Sequence, residues 1–485
     1  MIDADTTAHR TAEDPASLRS SLAARVRSAL DEGRQGAERI RRVGVPVVGE
    51  VSPLAWLQAQ EQQTAIYWSG RDDGRTVAGL GAADVIWNAE VPVNYPKLKA
   101  RLGERFQRGE DGVRWYGGLR FDAPQPRAPD WPDHSWRAFG TYRFVLPRFE
   151  WVERADGTAA LACNLVLPRD VQQKEALLES VEGLTFPDTA PRPALPRPLG
   201  RADTPNREGW TRMVEWALDA IREQSLDKVV LARRVALDLG TPLDPLLVLR
   251  QLQAATDNCF HFAVWPEEGP AFVGASPERL FSRYGGEVRS EAVAGTRSRG
   301  DTPSADAALR DELLESPKER REHAFVQHAI REEMERLCTS VDTPDAPGEL
   351  ALARSRHLHA PVTGTLQPGV GTVDLLEALH PTPAVGGVPQ DAALTAIRTQ
   401  EPFDRGWYAG PVGWVADGEA EFSVSIRSGL VQGARLALFS GAGIVEGSVP
   451  EREWEEIEQK IGDFAAVLNL GNRENGAPSA DTVSS

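Results

Sequence analysis

Two pairs of glutamates carry the first chemical suggestion in this chain. Glu319 and Glu322 lie in SPKERREHAFVQHAI, and Glu453 and Glu456 lie in PEREWEEIEQKI. A spacing of three puts both carboxylates of a pair on one face of a helix. Two such helices facing each other would gather four carboxylates, a cluster that needs a cation. All-oxygen ligation suits Mg²⁺, which keeps waters and bridges to an anionic substrate. Spacing alone favours a blander reading, two solvated faces in a Glu-rich protein.

A lysine and a third kind of carboxylate follow. Lys228 opens the apolar run KVVLARRVAL. A lysine at a strand mouth is usually a solubilising edge charge. As a base it would need burial or a neighbouring cation to lower its proton affinity. Glu278 sits in GASPERL, where Ser276 and Pro277 turn the chain out of the strand AFVG. Strand ends are where α/β folds place site residues, although a turn or capping carboxylate reads the same way.

The small-residue segments EAVAGTR (291–297) and FSGAGIV (439–445) read as turns after strands whose N–H groups could approach a carboxylate. Neither is a dinucleotide or Walker loop, so no nucleotide is indicated. Arg427, inside EFSVSIRSGLV, needs a partner: a ligand carboxylate or one of the many glutamates. His357, His359 and His380 lack helical metal spacing and read as packed or hydrogen-bonded. No GxSxG elbow is present.

The elements that must position these groups divide by texture. A first helix is predicted over 16–42. From 47 to 165 short β-rich runs alternate with Gly, Asp and Pro turns, as in an antiparallel sheet with inserted helices. The proline-rich stretch 186–206 reads as a linker or extended crossing. Beyond it come helix 207–224, strand 228–237, helix 243–255, a long charged helix over 306–337, and an amphipathic helix over 450–470. This divides the chain into an N-terminal β-rich part (16–185), the linker and a catalytic region (207–470), with polar tails at 1–15 and 473–485.

The 485 residues suggest about three domains at roughly 150 residues each, or one large unit. With 41% hydrophobic and 26% charged residues the chain is globular rather than disordered. The net charge of −17 disfavours nucleic acid, so a site for an anion must supply its own positive charge. Cys163, Cys259 and Cys338 are far apart, which argues against a disulfide scaffold or a thiolate zinc site. The acidic N-terminus is no signal peptide, and no run reaches the roughly 18 apolar residues of a membrane span. A cytoplasmic location is expected.

Taken in order, these segments resemble the chorismate-utilising enzymes, and within them the isochorismate synthases. The resemblance covers residues 60–150 weakly and 207–470 strongly, through DKVVLARRVAL, GASPERL, AVAGTR, SPKERREH, HLHAPVTG, LHPTPAVGG, EPFDRGWYAGPVGW, SIRSG and GAGIVEGSVPEREWEE. It implies one α+β unit, the chorismate-binding fold of anthranilate synthase component I, with two stacked β-sheets flanked by helices. Lys228 matches the family lysine that activates water, and Glu278 the acid that protonates the departing ring hydroxyl. Glu322 and Glu456 match the Mg²⁺ ligands. Glu319 and Glu453 match nearby acids that hold the metal's waters or ligate instead. Gly295, Thr296, Arg427, Gly441 and Lys460 match positions around the substrate carboxylates.

Branch-specific positions narrow the expectation. Ammonia-adding branches usually lack a lysine at the position of Lys228. Ala294 stands where the aminodeoxychorismate branch has lysine, and HPTPA (380–384) is similar to the isochorismate branch. Ala360 departs from a threonine common in the family. The implied protein is a Mg²⁺-dependent isochorismate synthase acting on chorismate as a monomer, without a glutaminase subunit. A salicylate synthase that goes on to eliminate pyruvate, and a catalytically silent chorismate-binding protein, stay open on sequence.

Overall fold

In the computed structural model the described residues are 14–47, 51–61, 64–122, 135–187, 195–267 and 269–468. Most of the two predicted tails therefore lies outside them.

The strand Tyr142–Glu153 is the branch point of the sheet. One of its edges pairs with Thr76–Asn88, and the other with Ala159–Leu167 and Trp115–Leu119. From Thr76–Asn88 one arm runs through Ala65–Ser69, Phe260–Trp265, Ala271–Ser276, Ser428–Gln432 and Arg435–Ile444 to Lys228–Asp238. From Trp115–Leu119 the other runs through Pro411–Ala416, Glu419–Val424, Arg279–Tyr284 and Glu287–Ser298 to Ser355–Leu366. Each of these pairings is antiparallel. The result is the α+β architecture of two sheets, joined at one strand and sharing one apolar core.

The pattern of residues explains the strands. Leu231, Ala232 and Val235 of Lys228–Asp238 are fully enclosed, as a strand buried on both faces requires. Between its pairings with Gly387–Val388 and Gly200–Thr204 the outer edge of this strand has no neighbouring strand. There the buried Glu401–Arg405 pair substitutes. Glu401 accepts from the Ala232 N–H, and Arg405 donates to the Val230 carbonyl.

Several expectations change. The helix predicted over 16–42 is Pro15–Glu32, followed by the strand Arg39–Val47. Gly33 caps it, and Gly36 adopts φ +121. The charged helix over 306–337 is two helices, Pro303–Glu315 and Pro317–Leu337. Pro317 cannot continue a helix, and the Ser316 hydroxyl caps the new one. In the stretch 186–206, residues 188–194 lie outside the described ones, and Gly200–Thr204 pairs as a strand. The small-residue segments are not turns. Residues 291–297 lie inside the strand Glu287–Ser298 and 439–444 inside Arg435–Ile444; a register shift between Ala294 and Thr296 replaces the expected turn.

Candidate active site

The carboxyl-bearing helices Pro317–Leu337 and Pro450–Val467 close a cavity of about 150 Å³ over the ends of both sheet arms. Glu278, Gly295, Thr296, Glu319, Glu322, Arg427, Gly441, Glu453, Glu456 and Lys460 all line it. Ten of the eleven residues singled out in the sequence thus share one wall system. Lys228 is the exception.

Lys228 is fully enclosed behind that wall. Its Nζ lies 3.0 Å from Glu322 Oε1, an ion-pair distance without hydrogen-bond angles. Glu322 lines the cavity and Lys228 does not, so the carboxylate is the member of the pair that meets the open space. Gly443 makes room for the pair: a Cβ there would meet Glu322 Oε1 at 2.6 Å and Lys228 Cε at 3.1 Å.

Glu278 occupies the link between the strands Ala271–Ser276 and Arg279–Tyr284. Burial, with the Glu291 carboxylate adding to it, pushes Glu278 up to about 8, against the pull of Lys228. A glutamic acid in that state carries its proton at neutral pH and can donate it.

The four carboxylates of the two helices each face a cation. Glu319 accepts from Arg297 at 2.8 Å, Glu322 faces Lys228, Glu453 lies 3.5 Å from Lys318, and Glu456 lies 2.8 Å from Lys460. Burial raises Glu453 above the ordinary carboxylate range despite Lys318, and Glu456 beside it adds to the effect. Lys460 holds Glu456 below that range. Burial opposes the charge of Lys318, but Glu453 and the other three glutamates outweigh it. An all-oxygen donor set of this kind fits a hard dication that displaces the facing cations. Among the described residues, no three such side chains yet converge as a preformed cage.

Arg427, His357 and Lys460 line the same cavity. Arg427 has φ +49, and its Nη2 donates to Ser355 Oγ at 2.9 Å and to His357 Nε2 at 3.2 Å. Burial, then Arg427 and Lys460, push His357 down to about 3, so its ring is neutral. His357 Nδ1 donates in turn to the Gly295 carbonyl at 3.1 Å. Lys460 Nζ donates to the Gly441 carbonyl at 3.1 Å. His359 bonds Glu291, and His380 donates to the carbonyls of Arg120 and Phe121. These two histidines are hydrogen-bonded in the interior, as their spacing suggested.

Sequence reasoning missed Lys318, Tyr408 and His357 as wall residues. Lys318 precedes Glu319 in a helix rich in charged residues, and the reading of His357 as packed or hydrogen-bonded holds without placing it on the wall. No local pattern marks Tyr408, which burial pushes well above the ordinary phenol range.

Comparison with known proteins accords with this geometry. Residues 29–469 match the model of the family described as chorismate binding enzyme. The chain is 37% identical over 453 residues to the salicylate biosynthesis isochorismate synthase of Pseudomonas aeruginosa, covering 88% of this chain and 91% of that one. It is 34% identical over 418 residues to the isochorismate synthase MenF of Bacillus subtilis, covering 83% and 87%. The solved structure of MenF, the menaquinone-specific isochorismate synthase from Escherichia coli, superposes with a TM-score of 0.79. It is 29% identical and covers 92% of this chain and all of that one. By this match over most of its length, the chain is an enzyme of the chorismate binding enzyme family, within the isochorismate synthase branch.

Proposed function

We propose that this protein converts chorismate to isochorismate, adding water at carbon 2 of the ring while the hydroxyl at carbon 4 leaves. The observation that carries the reading is Glu278, a proton-bearing carboxyl on the wall of a cavity that also presents Arg427 and Lys460. Glu278 gives its proton to the departing hydroxyl. Lys228 takes a proton from the incoming water, which requires its amine to be uncharged and to part from Glu322. Each positioned transfer is worth roughly 10²–10⁴-fold in rate.

Arg427, fixed by Ser355 and the neutral His357, grips one substrate carboxylate, and the Thr296 region and Lys460 bound the other side. Glu322 and Glu456 are the residues that would hold Mg²⁺, with Glu319 and Glu453 as the acids beside them. When bound, the ion supplies positive charge to the second carboxylate of a dianion, in a chain whose own net charge is −17. No ammonia enters, so no glutaminase subunit is needed, and we expect a single chain working in the cytoplasm.

Incubation with chorismate and Mg²⁺, followed by chromatography, tests the reading. Isochorismate is the expected product, and EDTA or Lys228→Ala abolishes it. Salicylate plus pyruvate as main products, or turnover unchanged in Lys228→Ala, would reject it.

A further inference from the structure

Glu278 projects from a short link whose two neighbours are held by one remote ion pair. Arg71 comes from the turn after the strand Ala65–Ser69, in the N-terminal part of the chain. Its Nη1 donates to the carbonyl of Pro277, the residue before Glu278. The same guanidinium grips Glu291 in a two-pronged bond, Nη1 to Oε1 and Nη2 to Oε2, each 2.7 Å. Glu291 Oε1 in turn accepts the backbone N–H of Arg279, the residue after Glu278, at 2.8 Å. The peptide groups on both sides of Glu278 therefore end on Arg71 and Glu291.

The pair is buried and braced. The Glu291 side chain is 0% exposed and that of Arg71 is 5% exposed. His359 Nε2 meets Glu291 Oε2 at 3.1 Å. The Arg279 guanidinium donates to Asp72 at 2.8 Å and to Glu421 at 3.0 Å, and it shares the face of Phe260 with Arg71. Taking two charges out of water is costly, and an apolar pair of equal volume often stabilises a fold as well or better. What a two-pronged buried pair supplies instead is fixed geometry.

We propose that Arg71 and Glu291 are positioning residues that aim the Glu278 carboxyl into the cavity by fixing the backbone on either side of it. Arg71, His359 and Arg279 keep Glu291 ionised against its burial. That permanent negative charge is the second cause, after burial, of the raised proton affinity of Glu278. The N-terminal part thereby enters the chemistry without touching substrate. The inference rests on Glu278 being the proton donor.

The test is the pH dependence of kcat and KM for Glu291→Gln, Arg71→Lys and Glu278→Gln in the full chain. Glu291→Gln keeps the shape and removes the charge. Its kcat should fall about tenfold or more with KM within about threefold, and its alkaline limb should move to lower pH by about half a unit or more. Arg71→Lys keeps the charge but cannot span both Glu291 and Pro277. It should lose kcat about fivefold or more while the limb stays in place. If Glu291→Gln does not fold, Arg71→Lys decides: wild-type kcat in a folded Arg71→Lys overturns the proposal. A folded Glu291→Gln with wild-type kcat and an unmoved limb overturns it as well. Activity surviving in Glu278→Gln would strike at the proton donor itself. An inactive Glu278→Gln beside fully active Arg71 and Glu291 variants would strike only at the positioning pair.

Discussion

Gly295 and Glu319 approach so closely that a Cβ on the glycine would stand 2.9 Å from Glu319 Oε2 and 3.1 Å from Glu319 Cβ. The glycine also has φ +68, in the bulged part of its strand. A side chain there is opposed twice, by the backbone region and by a carboxylate that Arg297 already holds. Gly295→Ala should cost about 1–2 kcal/mol of stability from the left-handed backbone alone. Displacing Glu319 should lower kcat/KM about tenfold or more. Gly462, on the exposed side of its helix with nothing within 4 Å of a new Cβ, is the contrast: Gly462→Ala should raise the melting temperature. Thermal melts and steady-state rates of the two variants check both halves.

Glu278 gives the reaction a direction in pH. In the proposed reaction the proton-bearing form is the active one, so kcat should hold below about 8 and fall above it. Stability follows the same group. Its folded affinity for a proton is raised above the ordinary 4.5, so its contribution to stability is fully present below that value. The contribution is lost as pH rises through about 8. Glu278→Gln, which never ionises, should therefore be inactive by a factor of roughly 10²–10⁴ and yet melt higher than the wild type at pH 9. A variant that loses activity and stability together at pH 9 would contradict this.

Why some of the site was readable and some was not follows from how far each contact reaches along the chain. Glu319 with Glu322, and Glu453 with Glu456, share a helix face by local geometry, so spacing alone shows that they point together. Glu278 follows the apolar strand Ala271–Ser276, another local signal. The ion pair that flanks it is not local: Arg71 lies 220 residues from Glu291. The bulge at Gly295 comes from the register of two paired strands, so the segment around it looked like a turn. Lys228 was read correctly as the start of a strand, but the strand does not reveal that Glu322 screens its amine from the cavity. Pro317 should have split the long charged helix in advance, since the ring excludes the preceding residue from helical geometry.

His357 joins Arg427 to the glycine bulge, accepting from the guanidinium and donating to the Gly295 carbonyl. His357→Leu removes the acceptor and leaves the guanidinium held by Ser355 alone. A charge-assisted bond is worth about 1.5–3 kcal/mol, so KM for chorismate should rise about 10–100-fold with a smaller change in kcat. The opposite split, a lower kcat at constant KM, would place His357 in the chemistry. Acid stability offers a second reading. The folded ring resists protonation down to about 3, whereas the unfolded ring takes a proton near 6.5. Stability present above 6.5 is therefore lost as pH falls toward 3. In His357→Leu that loss should be shallower.

The cations that face the helix carboxylates compete with any metal for the same oxygens. Lys460 is the simplest to remove, since it lies one turn from Glu456 on the same helix and its contact is 2.8 Å. Its charge is the foremost cause that holds Glu456 below the ordinary carboxylate range. Lys460→Met should free that carboxylate and tighten Mg²⁺ binding about threefold or more, measured by calorimetry without substrate. Glu456→Gln, which deletes the ligand we assign, should weaken it about tenfold or more in the same titration. Because neither measurement depends on turnover, a Lys460→Met protein that binds the ion no better would remove Glu456 from the ligand set even if the enzyme still made isochorismate.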